Sequence, residues 1–319
     1  MRQPARSLSL TLALAGDTML GRNVAERIAG EGPGGLVADE VVAIAREADL
    51  FVLNLECCIS ERGDPWPDPR KPFFFRAPPA AADVLRQLGV DCVTLGNNHA
   101  LDFGAEALLD TFEHLAAAGI VWAGAGRDVR EARAPAFLEA GGQRLAVLGC
   151  SDHPREYAAG DETPGIAFGL EWVPEALPSI DADIVLVTPH WGPNMAAEPL
   201  PYVREAAASF RTEGATLVAG HSAHVFHGVA RGVLFDLGDF LDDYAVDPEL
   251  RNDLGVLFVV MLDRSGPVRI EAVPLKLDFC HTRLADGDDA AWIRRRFRAA
   301  CAALGTEVSE AGDRLVVNP

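Results

Sequence analysis

A chain of 319 residues, about half of them hydrophobic, has enough apolar material for one large or two small folded domains. It carries 28 Lys and Arg against 47 Asp and Glu, a formal charge of -19, which repels nucleic acid and anionic membranes. Neither is expected as a partner, and most of the surplus carboxylates are read as solvated surface.

The opening stretch "MRQPARSLSLTLALAGD" has a short apolar run that reaches Gly-Asp without a signal-type cleavage site, so residues 7–16 are assigned to a first strand. No run approaches the roughly 18 to 20 apolar residues that span a bilayer. The six cysteines, Cys57, Cys58, Cys92, Cys150, Cys280 and Cys301, form no CxxC pair and sit mainly in apolar runs, as buried reduced thiols do. A cytoplasmic location is the expectation. After the first strand come "DLFVLNLE" (49–56), "VDCVTLGN" (90–97), "IVWAGAG" (120–126) and "DIVLVTPHWG" (183–192), read as strands. Between them "VADEVVAIAREA", "AAADVLRQLG" and "AEALLDTFEHLAAAG" repeat apolar residues at helical spacing. That alternation predicts a mainly parallel sheet covered by helices.

Beyond "YVREAAASFRTEGA" the runs "TLVAGHSAHVFHGV", "RGVLFDLGDF", "GVLFVVMLD" and "PVRIEAVPLKLDF" read as strands with little helix between them, an antiparallel half. Two sheets packed face to face with helices outside would accommodate both halves. "DDAAWIRRRFRAACAALG" is a final helix, whose arginine run reads as a solvated face or, less favoured, a dock for an acidic partner. No linker divides the chain, so residues 1–319 are taken as one domain, with its motifs in about 8–245 and further strands and a helix in 250–319. The Pro-rich "GDPWPDPRKPFFFRAPP" (63–79) reads as a long loop over a site.

Polar residues gather at the strand ends. Asp17, the pair Asn54 and Glu56, the triplet Asn97, Asn98 and His99, then His190, and finally His221 and His224 each follow an apolar run. Any one of them is an ordinary turn residue. Jointly they supply carboxylates, an amide oxygen and imidazoles, the ligand mixture of a site for two divalent ions. A carboxylate such as Glu56 or Asp17 could bridge such ions, which together acidify water and polarise a carbonyl or phosphoryl oxygen. Arg22 and Arg76 are the nearest cations in sequence; either could clamp a substrate carboxylate or phosphate or serve in an ordinary ion pair. With Asn54 and Asn97 they make up the candidate substrate contacts. His114 and His227 are left as structural.

The ordered motifs "GDTMLGR", "NLE", "GNNHALDFG", "HWG", "GHSAHVFHGV" and "FDLGDF" resemble the poly-γ-glutamate capsule-synthesis (CapA-type) family, whose members have a calcineurin-like metallophosphatase fold. The resemblance spans about residues 8–245 and implies a four-layer α/β/β/α sandwich. It also implies that Asp17 holds one metal, that Glu56 bridges, and that Asn98, His190 and one of His221 and His224 hold the second. His99 would be the general acid, with Asn98 beside it in the catalytic pair. Metallophosphatases usually carry Asp-x-His and Gly-His-x-His; this chain has Asp17-Thr18-Met19 and His221-Ser222-Ala223-His224, so the first motif loses a histidine and the last pair is one residue wider. These departures imply a metal held more weakly, a harder ion such as Mn or Ca, or a partly filled site, with Zn, Fe and Mg the other candidate ions. The reading that follows is a metal-dependent enzyme for a peptide or γ-glutamyl-like substrate, by amide hydrolysis or by epimerisation at an α-carbon. Phosphoester hydrolysis and a non-catalytic part in polymer synthesis are the alternatives.

Overall fold

The computed structural model describes residues 9–319; positions 7 and 8 of the expected first strand lie outside the described residues. The strand Leu10–Thr18 runs through a ten-stranded sheet. Leu12 and Leu14 turn to one face and Ala13 and Ala15 to the other, all four buried, because successive side chains leave a strand on opposite faces. On one side Leu50–Leu55, Cys92–Thr94 and Val121–Ala123 follow in parallel pairing. On the other side Leu254–Asp263, Gly266–Asp278 and Arg314–Val317 follow in antiparallel pairing.

A second, six-stranded sheet places Ile184–His190 between Gln143–Ser151 and Leu217–Ala219, parallel to both. Here the fold departs in part from the antiparallel second half expected of the sequence, which holds for the strands of 254–278 but not for those of 217–234. Leu217–Ala219 pairs parallel with Val233–Leu234, and the 254–278 hairpin joins the first sheet instead. A parallel pair needs a crossover, usually a helix; the largely irregular stretch 220–232 serves instead, so the missing helical pattern misleads. Among the elements not foreseen are the helix Arg22–Glu31 and the hairpin of Ala136–Ala140 with Gln143–Ser151. Gly141 and Gly142 turn that hairpin at positive φ, as a tight two-residue turn requires.

Leu12, Val52, Val147, Leu186 and Leu217 meet between the sheets. Outside the first sheet, Phe51 and Val93 pack on Val84, Leu108 and Phe112 of the helices Ala81–Leu88 and Gly104–Ala118. Outside the second, Leu148 and Val187 pack on Val203 and Phe210 of Pro201–Thr212. The result is the α/β/β/α sandwich. The C-terminal helix Gly287–Ala303 adds Ile293, Phe297 and Cys301 to the core between the sheets. All six thiols are free and buried. Among the described residues, no helix is long and apolar enough to cross a membrane.

The carboxyl ends of the parallel strands of both sheets converge, and ligand sites in α/β sheets form at such ends. Gly16 makes one convergence possible. The pairing with Leu50–Leu55 slips by one residue between Ala15 and Asp17, a bulge that re-aims the Asp17 side chain. At Gly16 a Cβ would stand 1.8 Å from the Gly238 carbonyl oxygen, so only glycine lets the 236–241 segment approach. Gly16→Ala is expected to lower stability by about 1 to 3 kcal/mol through that overlap, read as a shift in the thermal midpoint; an unchanged midpoint would refute the close approach.

Candidate metal centre

Asp17 stands at the centre of a buried polar cluster, 1% exposed. Its Oδ1 accepts from Asn54 Nδ2 at 2.8 Å and lies 3.3 Å from His221 Nδ1, while its Oδ2 lies 3.4 Å from His224 Nδ1. Burial pushes the carboxyl up, but the imidazole of His221, then those of His190 and His224, more than offset this and hold it well below the usual range. Asp239, the register partner of Asp17 on the neighbouring strand, binds His224 Nδ1 through Oδ1 at 2.8 Å. Glu56 follows the next strand; Tyr244 donates to its Oε2 at 3.1 Å, and His190 Nε2 lies 4.0 Å from its Oε1.

Two overlapping sets of side chains bring their ligand atoms within 4.8 Å of one another: Asp17 with His224 and Asp239, and Asp17 with Glu56 and His190. Burial and the Asp17 charge push the Glu56 carboxyl well above its ordinary range, and burial with Asp242 and Asp17 does the same to Asp239. Burial pulls His190 well below its usual value. Glu56 Oε1, Asp239 Oδ2, Asn98 Oδ1 and both ring nitrogens of His190 are buried without a hydrogen-bond partner. An orphaned buried polar atom costs about 1 to 3 kcal/mol, so the orphaned atoms of Glu56, Asp239 and His190, which belong to the two sets, fit divalent cations. Nitrogen and carboxylate donors together suit Zn, Mn or Fe better than an all-oxygen cage would.

The loops are pinned by the chain itself. Asp236 accepts from Ala223 N at 2.9 Å and from Gly238 N at 2.8 Å, tying the His221–His224 turn to the Asp239 segment. Ser222 and His224 hold φ of 107° and 59°, left-handed values uncommon outside glycine and frequent at functional sites.

Beside this cluster His99 Nδ1 meets Asp102 Oδ2 at 2.6 Å, and its ring stacks on Phe75 with centroids 4.0 Å apart. Asp102 also accepts from Phe75 N at 2.6 Å and Tyr157 Oη at 3.0 Å, and pairs with Lys71 Nζ at 2.9 Å. Burial lowers the His99 pKa although Asp102 pulls the other way, so the ring is neutral at neutral pH, with Nδ1–H given to Asp102. His99, His224, Tyr244, Phe75 and Arg22 line one cavity of about 270 Å³. Asn98 lines a second, of about 320 Å³, with Trp66, Lys71 and His153.

Residues 11–244 match the model of the family described as bacterial capsule synthesis protein PGA_cap. The chain belongs to this family. Among relatives of the PGA_cap chain, a probable polyglutamine synthesis accessory protein of Mycobacterium tuberculosis is 27% identical over 96% of this chain and 95% of its own length. The PGA biosynthesis protein CapA of Bacillus subtilis is 26% identical over 84% of this chain and 72% of its own. In structure the chain is similar to a protein described as a novel phosphatase, from Mycoplasma pneumoniae, with a TM-score of 0.53 and 14% identity over 84% of this chain and 94% of that one. A hypothetical protein of Thermus thermophilus matches with a TM-score of 0.50 and 17% identity over 84% of this chain and 99% of that one. The fold of this PGA_cap protein is metallophosphatase-like.

Of the residues singled out in the sequence, the fold brings Asp17, Glu56, His190, His221 and His224 together, with His99 and Arg22 at the same cavity. The carboxylate common to both ligand sets is Asp17, whereas the resemblance implies Glu56. Asn54 and Asn97 have no free group for a substrate: Asn54 Oδ1 accepts from Thr94 and Asn97, and Asn97 also donates to Leu55 O and accepts from His99 N. They hold Asp17 and His99 in place. Arg76 faces elsewhere, bonded to the carbonyls of Arg62 and Gly63 and over the Phe103 ring. Asp239, Asp102 and Tyr244 are missed by the sequence reading, though the first two stand inside the quoted motifs "FDLGDF" and "GNNHALDFG".

His227 is structural, as read. Its Nε2 donates to Ala196 O at 2.8 Å, and burial pushes its pKa down to about 4. A folded value below the unfolded one, about 6.5, means that this stability is present above pH 6.5 and lost as pH falls through 4. His227→Gln is expected to flatten that acid-side loss, which is worth about 3 kcal/mol; parallel unfolding profiles for variant and native protein would contradict it.

Proposed function

We propose that this PGA_cap protein is a metal-dependent hydrolase of amide bonds in a γ-glutamyl or peptide chain. The observation that carries the reading is the pair of ligand sets sharing Asp17 beside a cavity that His99, bound to Asp102, also lines. The relatives' names, which refer to polyglutamine and PGA synthesis, supply the substrate class. Asp17, Glu56, His190, His224 and Asp239 would hold the divalent ions, with His221 and Asn98 adjoining. Such ions supply Lewis acidity, polarising a carbonyl and acidifying water.

The chain's own residues do the rest. Arg22, held 3.3 Å from Asp243 and lying over Phe73 and Phe75, presents a guanidinium suited to a substrate carboxylate. Phe75 and Tyr244 exclude water from one side of the cavity. His99, neutral with its Nδ1–H bound to Asp102, accepts at Nε2 a proton from the water whose oxygen adds to the amide carbonyl carbon, and gives it to the amine nitrogen as the C–N bond breaks. Asp102 fixes the tautomer and steadies the imidazolium formed between those steps.

The test incubates metal-loaded protein with γ-glutamyl oligomers, with peptides and with p-nitrophenyl phosphate in D₂O. New amine ends in the oligomer or peptide support the reading. A one-dalton gain without cleavage would move the assignment to epimerisation. Phosphate release alone, or no turnover of any substrate, would overturn amide chemistry.

A further inference from the structure

The arginine run of the C-terminal helix resolves into residues with different fates. Arg294 lies 3.4 Å from Glu310 and 3.7 Å from Asp313, its Nη1 held by the ion pair with Glu310 without a hydrogen bond, and Arg298 binds Glu310 and the Val308 carbonyl, each at 2.6 Å. Arg296 turns the other way. Its guanidinium lies over the rings of Phe226 at 5.3 Å and Trp292 at 5.4 Å, and its Nη2 is buried with no hydrogen-bond partner. A planar cation stacked on aromatic faces still requires acceptors in its own plane.

Arg296 lines a cavity of about 300 Å³ between the helix and the 197–204 segment. Ala299, Ala300 and Ala303 leave it open on the helix side, and Arg204 lines it from the other. Arg204 binds Pro199 O at 3.0 Å and lies 3.4 Å from Glu198, so the Glu198 carboxylate that also lines the cavity is taken by Arg204 and not by Arg296. His227 nearby feels this positive surround: after burial, repulsion from Arg296 and Arg204 contributes to its lowered pKa. The volume is at the small end of ligand sites.

We propose that this cavity binds one small oxyanion, a carboxylate or phosphate group, held by Arg296 with Arg204 beside it. A guanidinium offers two parallel N–H groups to either. The site is separate from the metal centre and independent of the reaction assigned there. It lies on the same loop, since Asn194 and Met195 line the His99 cavity while Ala197, Glu198 and Pro199 line this one.

Calorimetric titration of the full chain with sodium phosphate and, separately, with sodium L-glutamate tests it, with sodium chloride as control and tryptophan emission, which includes Trp292, as second readout. Saturable binding of at least one probe is expected, unchanged by Asp17→Asn and weakened about tenfold or more by Arg296→Gln. The probe that binds identifies the group. Ala303→Glu, at an exposed helix position where Glu is a good helix former, guards against misfolding of the arginine variant and is expected to weaken binding as well. No saturable binding of either probe, or binding that survives Arg296→Gln, overturns the site.

Discussion

Asp17→Asn is expected to leave the protein folded but without divalent metal, and to lower turnover on the order of a thousandfold, because Lewis-acid stabilisation is worth several kcal/mol. The reason is topological. Asp17 is the one carboxylate that belongs to both ligand sets, so its neutral isostere weakens both together. Glu56→Gln leaves Asp17, His224 and Asp239 intact, and Asp239→Asn leaves Asp17, Glu56 and His190. Metal content by mass spectrometry should therefore fall from about two ions per chain to about one in either of these variants, and to about none in Asp17→Asn. The two ligand sets would be wrong if Asp17→Asn retained an ion or if Glu56→Gln lost both.

Much of that centre is legible in the sequence because its residues follow apolar runs directly. Asp17, Glu56 and His190 are where a strand pattern stops, and a parallel strand can only deliver its next residues to one edge of the sheet. Asp239 is harder to see, since its short strand Asp239–Leu241 is reached through an irregular turn and pairs with Leu10–Thr18 across more than two hundred residues of sequence. Nothing in its neighbourhood announces that partner. Asn54 and Asn97 mislead for a related reason: polar residues at a strand end can be aimed outward or spent on internal hydrogen bonds, and composition does not distinguish the two. The antiparallel expectation for the second half holds for the 254–278 hairpin but fails for Leu217–Ala219 and Val233–Leu234, because it equates a missing crossover helix with a missing crossover. In contrast, the hairpin at Gly141 and Gly142 carries an ordinary turn signal between two apolar runs and could have been read.

His99→Gln is expected to lower kcat by a factor on the order of 10² to 10⁴, the usual worth of a positioned acid or base, with metal content unchanged. The ring is over-determined for a single task. Phe75 stacks on it and supplies a backbone N–H to the Asp102 oxygen that His99 Nδ1 meets, while Tyr157 and Lys71 occupy the other oxygen. With Nδ1 so engaged, Nε2 is left as the working nitrogen at the cavity, and Asp102 acts only through it. Asp102→Asn should therefore lower kcat as well, and the double variant His99→Gln, Asp102→Asn should be scarcely slower than His99→Gln alone, because residues that act as a unit are not additive. Asp102→Asn should in addition lower the thermal midpoint, since Lys71 loses its buried counter-charge. Multiplicative losses in the double variant would show that Asp102 contributes to turnover independently of His99; loss of metal in His99→Gln would make the imidazole a ligand and not the proton carrier.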